Sequence, residues 1–131
     1  MISYTCLVFL VSTLSFAVNA KETKLSLVRV NSFNNEGYEI SQKSNQSCEI
    51  FKKIGDASRL LSKLEKNNCE PLIQKIADST KSFTERKRCK VSLIMSSQMK
   101  KVRSGNFCLD ESRDFSLYSK LVYDLEMTVT K

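Results

Sequence analysis

Four cysteines, Cys48, Cys69, Cys89 and Cys108, stand at nearly even intervals along the chain, each interval close to one helix plus a turn. An even number of cysteines in a small exported domain reads as two disulfides. Each bond requires Cα atoms about 4.4–6.8 Å apart, so any fold has to bring these positions together in pairs. A four-thiolate zinc site is disfavoured, because no two cysteines have C-x₂₋₄-C spacing and the chain has no His.

The fifth cysteine, Cys6, immediately precedes an apolar run from Leu7-Val8-Phe9 to Val18, and no Lys or Arg comes before that run. The run is too short for a spanning helix, which needs about 20 residues. Val18-Asn19-Ala20 then offers small residues at a peptidase site, and Lys21-Glu22-Thr23-Lys24 is abruptly charged. Residues 1–20 read as a cleaved secretory signal peptide and 21–131 as one disulfide-stapled domain with no membrane span. The expected location is extracellular, with a bacterial periplasm as the alternative.

Periodicity predicts two helices. Over Cys48–Asn67, the residues Ile50, Phe51, Ile54, Ala57, Leu61 and Leu64 recur at three- and four-residue spacing. Over Glu70–Arg86, Leu72, Ile73, Ile76, Ala77 and Phe83 do the same, with Pro71 in the first turn. Asn67-Asn68 breaks the two runs into an antiparallel helical hairpin. Leu25–Val30 and Gly37–Ile40 are strand-prone across Asn34-Asn35. Residues 90–102 and 115–130 fit either a helix or a strand. The resulting expectation is a helix-dominated α+β fold with strands at the termini, and an all-α four-helix bundle as the alternative. A straight helix of about 18 residues is about 27 Å long, which puts Cys48 and Cys69 at opposite ends of such a hairpin. The expected bonds are therefore Cys48–Cys89 and Cys69–Cys108.

The formal net charge is +7, and it is uneven. Residues 51–109 carry fourteen basic and five acidic side chains, whereas residues 110–131 carry three and five. The densest clusters are Arg86, Lys87, Arg88 and Lys90, followed by Lys100, Lys101 and Arg103. Such clusters suit polyanions: acidic glycans, anionic lipid heads, acidic proteins or nucleic acid. The bland alternative is a solvated face that keeps the protein soluble. Nucleic acid is the least favoured partner, because Phe107 is the only aromatic near the clusters and no stacking platform is evident.

Catalysis is not expected, nor is a cofactor or a metal. Without His there is no Ser-His or Cys-His pair, and three isolated glycines build no phosphate loop. Asp110, Glu111 and Asp114 form the one tight acidic cluster. They read more simply as the start of a helix, with Asp110 or Ser112 as its cap. Asn45-Gln46-Ser47 is a glycosylation sequon, making Asn45 a candidate glycan site in a eukaryotic host. The functional expectation is a secreted, monomeric, non-catalytic protein that binds a protein or polyanionic partner through a basic surface. An exported inhibitor or immunity-type protein that blocks an enzyme or toxin is the alternative. A membrane-active antimicrobial reading rests on the basic middle segment alone.

Overall fold

A computed structural model describes residues 22–85 and 88–130. The leader assigned to residues 1–20 therefore lies outside the described residues.

Strand β1 (Thr23–Val30) alternates Leu25 and Leu27 inward with Ser26 and Val28 outward. It turns through Asn31, whose Oδ1 accepts the N–H groups of Phe33 and Asn34, both at 2.8 Å. This side-chain turn delivers β2 (Asn35–Gln42), which pairs antiparallel with β1 and points Tyr38 and Ile40 inward. The two strand-prone segments of the sequence thus form a hairpin.

The next segment departs from expectation. Residues 48–64 are not a helix but strands β3 (Cys48–Ile54) and β4 (Ala57–Leu64). Between them Gly55 adopts φ +58°, and Ile54 pairs directly with Ala57. A two-residue loop with Gly at its first central position is the chemistry of a tight hairpin. Its amide donates to Asn35 O at 2.8 Å, tying this turn to the start of β2. The apolar residues that mimic helical spacing are instead divided between two strands: Ile50 and Leu64 are buried on the core side, Phe51 takes the opposite parity, and Ile54 and Ala57 are exposed beside the turn.

Helix α1 (Lys66–Thr80) begins earlier than its apolar stripe suggests, so Pro71 lies inside it and not in its first turn. Cys69, Leu72, Ile73, Ile76 and Ala77 form its buried face. The helix carries the chain from β4 at one edge of the sheet back to β5 (Ser92–Ser97), which pairs antiparallel with β1. Strand β6 (Gly105–Cys108) adds the far edge, giving the order β4-β3-β2-β1-β5-β6. Helix α2 (Ser112–Thr130) follows. Tyr118, Leu121 and Leu125 are buried at helical spacing, while Tyr123 and Met127 are exposed. The helical period therefore prevails over the period-two alternation at this end.

Neither the helix-dominated fold nor the four-helix bundle is correct. Among the described residues the chain is a six-stranded antiparallel sheet with two helices. Register places Leu25, Leu27, Tyr38, Ile40, Ile50, Leu93, Met95 and Phe107 on one face, where they join the buried stripes of α1 and α2 in a single core. Val28, Phe51, Leu60 and Ile94 occupy the opposite parity, and Leu60 and Ile94 are exposed.

The disulfides follow the corrected fold. They are Cys48–Cys69 and Cys89–Cys108, with Cα separations of 5.8 and 5.6 Å. The expected pairs, Cys48–Cys89 and Cys69–Cys108, depended on a helix starting at Cys48. A β3–β4 hairpin returns the chain to its starting end, where Leu64 pairs with Cys48, so Cys69 arrives beside Cys48 a few residues later. The second bond joins the loop before β5 to the end of β6. Two disulfides suit an oxidising compartment. No described helix is long and apolar enough to cross a membrane.

Polar groups lock α2 onto the sheet. Tyr38 donates its hydroxyl to Glu126, and Lys52 Nζ lies 3.7 Å from the same carboxylate and 5.9 Å from the Tyr38 ring centroid. Burial, reinforced by Glu126, pushes the Tyr38 hydroxyl well above the usual tyrosine value. Burial raises that of Tyr118 as well.

Candidate basic cleft

One end of the sheet gathers the starts of β1, β3 and β6, the ends of β2, β4 and β5, and the beginning of α1. The β5–β6 turn at this end has an ordered backbone. Ser97 Oγ accepts the Met99 N–H at 3.0 Å, and Ser104 Oγ accepts the Ser97 N–H at 2.8 Å. Met99 and Val102 are buried beneath it, so Lys100 and Lys101 project into solvent. Gln98 is clipped to β1: its amide donates to Lys24 O at 2.9 Å, and its side-chain oxygen accepts the Lys24 N–H at 3.0 Å. Across from this turn, the Cys48–Cys69 bond pins the first turn of α1, and with it Lys66, to the head of β3.

These elements bound an open cleft of about 710 Å³ lined by Thr23, Gln42, Gln46, Lys66, Glu70, Ile73, Gln98, Met99, Lys100 and Lys101. Three lysines face one carboxylate there. Glu70 is engaged by Lys101 at 3.8 Å and by the Gln42 amide at 3.4 Å. Lys66 and Lys100 have no carboxylate within 4 Å among the described residues. Two unneutralised ammonium groups and three side-chain amides around a concave surface can hold an anion by charge and by hydrogen bonds.

The basic residues singled out in the sequence do not form one patch. Lys100 and Lys101 belong to the cleft. Arg103 does not: its guanidinium lies 3.7 Å from Glu85, donates to Thr80 O at 3.2 Å at the end of α1, and stacks 5.2 Å from the Phe107 centroid. Arg88 and Lys90 are exposed at the other end of β5, about 20 Å from the cleft by the length of a six-residue strand. Arg86 and Lys87 lie outside the described residues. Lys66, Gln42, Gln46 and Gln98 join the cleft although no charge run marks them. Lys66 comes from a distant segment that only the α1 crossover brings alongside.

None of the described residues that line the cleft is aromatic. Phe107 is fully buried under Arg103, which leaves no stacking platform for bases there. The acidic cluster is spoken for. Asp110 accepts the backbone N–H groups of Lys90 and Val91 at 3.0 and 2.8 Å and so braces the loop before β5. Asp114 is buried in the first turn of α2, with the Thr84 hydroxyl at 3.5 Å. The Sγ atoms of Cys89 and Cys108 cluster with the Asp110 carboxylate, but sulfurs bonded to each other offer no thiolate to a metal.

No protein-family model matches this sequence, and a search of curated proteins finds no match to it.

Proposed function

We propose that this chain is an exported, non-catalytic binding protein that holds an acidic, sulfated glycan at the cleft formed by Lys66, Lys100 and Lys101. The observation that supports this reading is the convergence of lysines from two distant segments on one concave surface, two of them without a carboxylate partner among the described residues. The absence of aromatics from the lining favours a glycan over single-stranded nucleic acid. Retention on immobilised heparin tests it. Lys66→Gln, Lys100→Gln and Lys101→Gln together should abolish retention in moderate salt. Arg88→Gln, Lys90→Gln and Lys120→Gln, the same loss of charge elsewhere, should leave most of it. Equal losses in the two variants would reduce the effect to generic ion exchange and refute the cleft.

A second reading, a protein that blocks an enzyme or toxin, is favoured by one specific feature. Phe33 is 93% exposed at the tip of the β1–β2 hairpin, and Ile54 is 57% exposed on the adjoining β3–β4 hairpin. The Asn31 turn fixes the Phe33 backbone before any partner arrives, which lowers the ordering cost of docking. Aromatic anchors of this kind dominate protein interfaces. On this reading Phe33→Ala abolishes inhibition of the target while the triple lysine variant retains it.

A further inference from the structure

We propose that Asn45 is an N-glycan acceptor whose glycan stands at the rim of the basic cleft. Asn45 is the one asparagine in the chain followed two residues later by Ser or Thr, and the intervening residue, Gln46, is not proline. Position alone would make this a common, often unused pattern; the local structure adds three things.

The sequon occupies the solvent-exposed β2–β3 turn, clear of the core. The turn is closed by the Lys43 N–H on Ser47 O and the Gln46 N–H on Lys43 O, both at 2.9 Å. Gln46 takes φ +69°, a left-handed conformation that costs a non-glycine residue energy. That conformation folds Ser47 back onto Asn45. Asn45 Oδ1 then accepts the Ser47 N–H at 3.0 Å and the Ser47 hydroxyl at 2.5 Å. Among the described residues the hydrogen bonds of the Asn45 side chain fall on its amide oxygen, and none falls on Nδ2. A sugar attached to Nδ2 displaces no hydrogen bond and no packed side chain, and the folded protein accommodates it without rearrangement.

The transfer balances simply. The donor is a polyprenyl-pyrophosphate-linked oligosaccharide. Asn45 Nδ2 forms a bond to the anomeric carbon of its first sugar, the bond from that carbon to the pyrophosphate oxygen breaks, polyprenyl pyrophosphate leaves, and Nδ2 releases one proton. Gln46, the next residue, lines the cleft with Lys66 and Lys100, so the glycan is placed to limit what enters it.

This inference rests on the export reading, because the transfer takes place in the secretory lumen. The test expresses the full chain in a eukaryotic cell line and treats it with a peptide:N-glycosidase. A second version carries Asp56→Asn together with Ser47→Ala. It removes the natural sequon and creates another with Ser58 on the exposed β3–β4 turn, which reports lumen entry. The expected result is a glycosidase-sensitive shift in the wild type, lost in Ser47→Ala alone, with Asn45 recovered as Asp in the treated peptide. A shift in the second version but none in the wild type overturns the assignment of Asn45 while keeping export. No shift in either overturns both.

Discussion

Cys69, in the first turn of α1, sits 5.8 Å from Cys48 at the head of β3, and that bond joins the helical layer to the sheet at the edge of the basic cleft. The bond closes a loop spanning a 21-residue separation, and Cys89–Cys108 one of 19. Loops of that size remove about 3 kcal/mol of unfolded-state entropy each in the chain-entropy model, a large part of the stability of a small domain. Non-reducing proteolysis with mass spectrometry should return Cys48–Cys69 and Cys89–Cys108. Cys48→Ser with Cys69→Ser should lower the unfolding free energy by about 3 kcal/mol. Recovery of Cys48–Cys89 would break the β3–β4 hairpin.

The two buried tyrosines make stability fall in alkali. Burial raises the Tyr38 and Tyr118 hydroxyls above their usual value, which is about 10. Below that pH both folded and unfolded chains hold these protons, and the stabilisation is complete. Above it the unfolded chain releases them first, so stability drops as pH rises. Tyr38→Phe should cost about 1 kcal/mol near neutrality through the lost bond to Glu126 and flatten the decline above pH 10. Melting temperatures from pH 8 to 12 provide the check; an unchanged slope in Tyr38→Phe would contradict the account.

Gly37 is required by close approach. A Cβ there would meet the Leu27 carbonyl of the neighbouring strand and lie 2.7 Å from Val28 Cα. Backbone cannot yield as a flexible side chain can. Gly37→Ala should therefore destabilise by about 1–3 kcal/mol, the range for overpacking, as measured by chemical denaturation. Wild-type stability in that variant would mean β1 and β2 are farther apart than described.

Phe33 can be read directly, because the chain contains no Trp. Phe33→Trp should show the red-shifted emission of hydrated indole and unrestricted acrylamide quenching, with stability changed by less than about 0.5 kcal/mol. Blue-shifted, protected emission in the isolated protein would place residue 33 against the core or another copy.

The limits of sequence reading are clear in the Cys48–Leu64 segment. Ile50, Ile54, Leu61 and Leu64 satisfy helical spacing, yet Gly55-Asp56 is a hairpin loop in the middle of it. Treating that glycine as a tolerated helix residue costs about 1 kcal/mol, whereas the loop uses its positive φ. The same loop decides the disulfide pairing, because the hairpin returns Leu64 to Cys48 and so brings Cys69 within bonding reach of it. The β1–β2 hairpin was readable from its alternating apolar residues and the Asn-rich turn. So was the apolar face of α1, whose residues 72–77 suit only a helix. At the site, Lys100 and Lys101 stood out as adjacent charges. Lys66 did not, because its neighbours in space come from a strand pairing set by β1 with β5, and no local pattern encodes that. Arg103 stood out for the same reason as the lysines, but its charge is spent on Glu85 and the end of α1.

The most direct test of glycan binding at the cleft is a residue-resolved titration. A ¹⁵N-labelled sample of residues 21–131 is followed by amide chemical shifts as a size-defined heparin oligosaccharide is added. The account predicts saturable shifts concentrated at Gln46, Lys66, Gln98, Lys100 and Lys101, and their loss in Lys66→Gln with Lys100→Gln. Shifts centred on Arg88 and Lys90 instead, or spread over every exposed lysine without saturation, would contradict it.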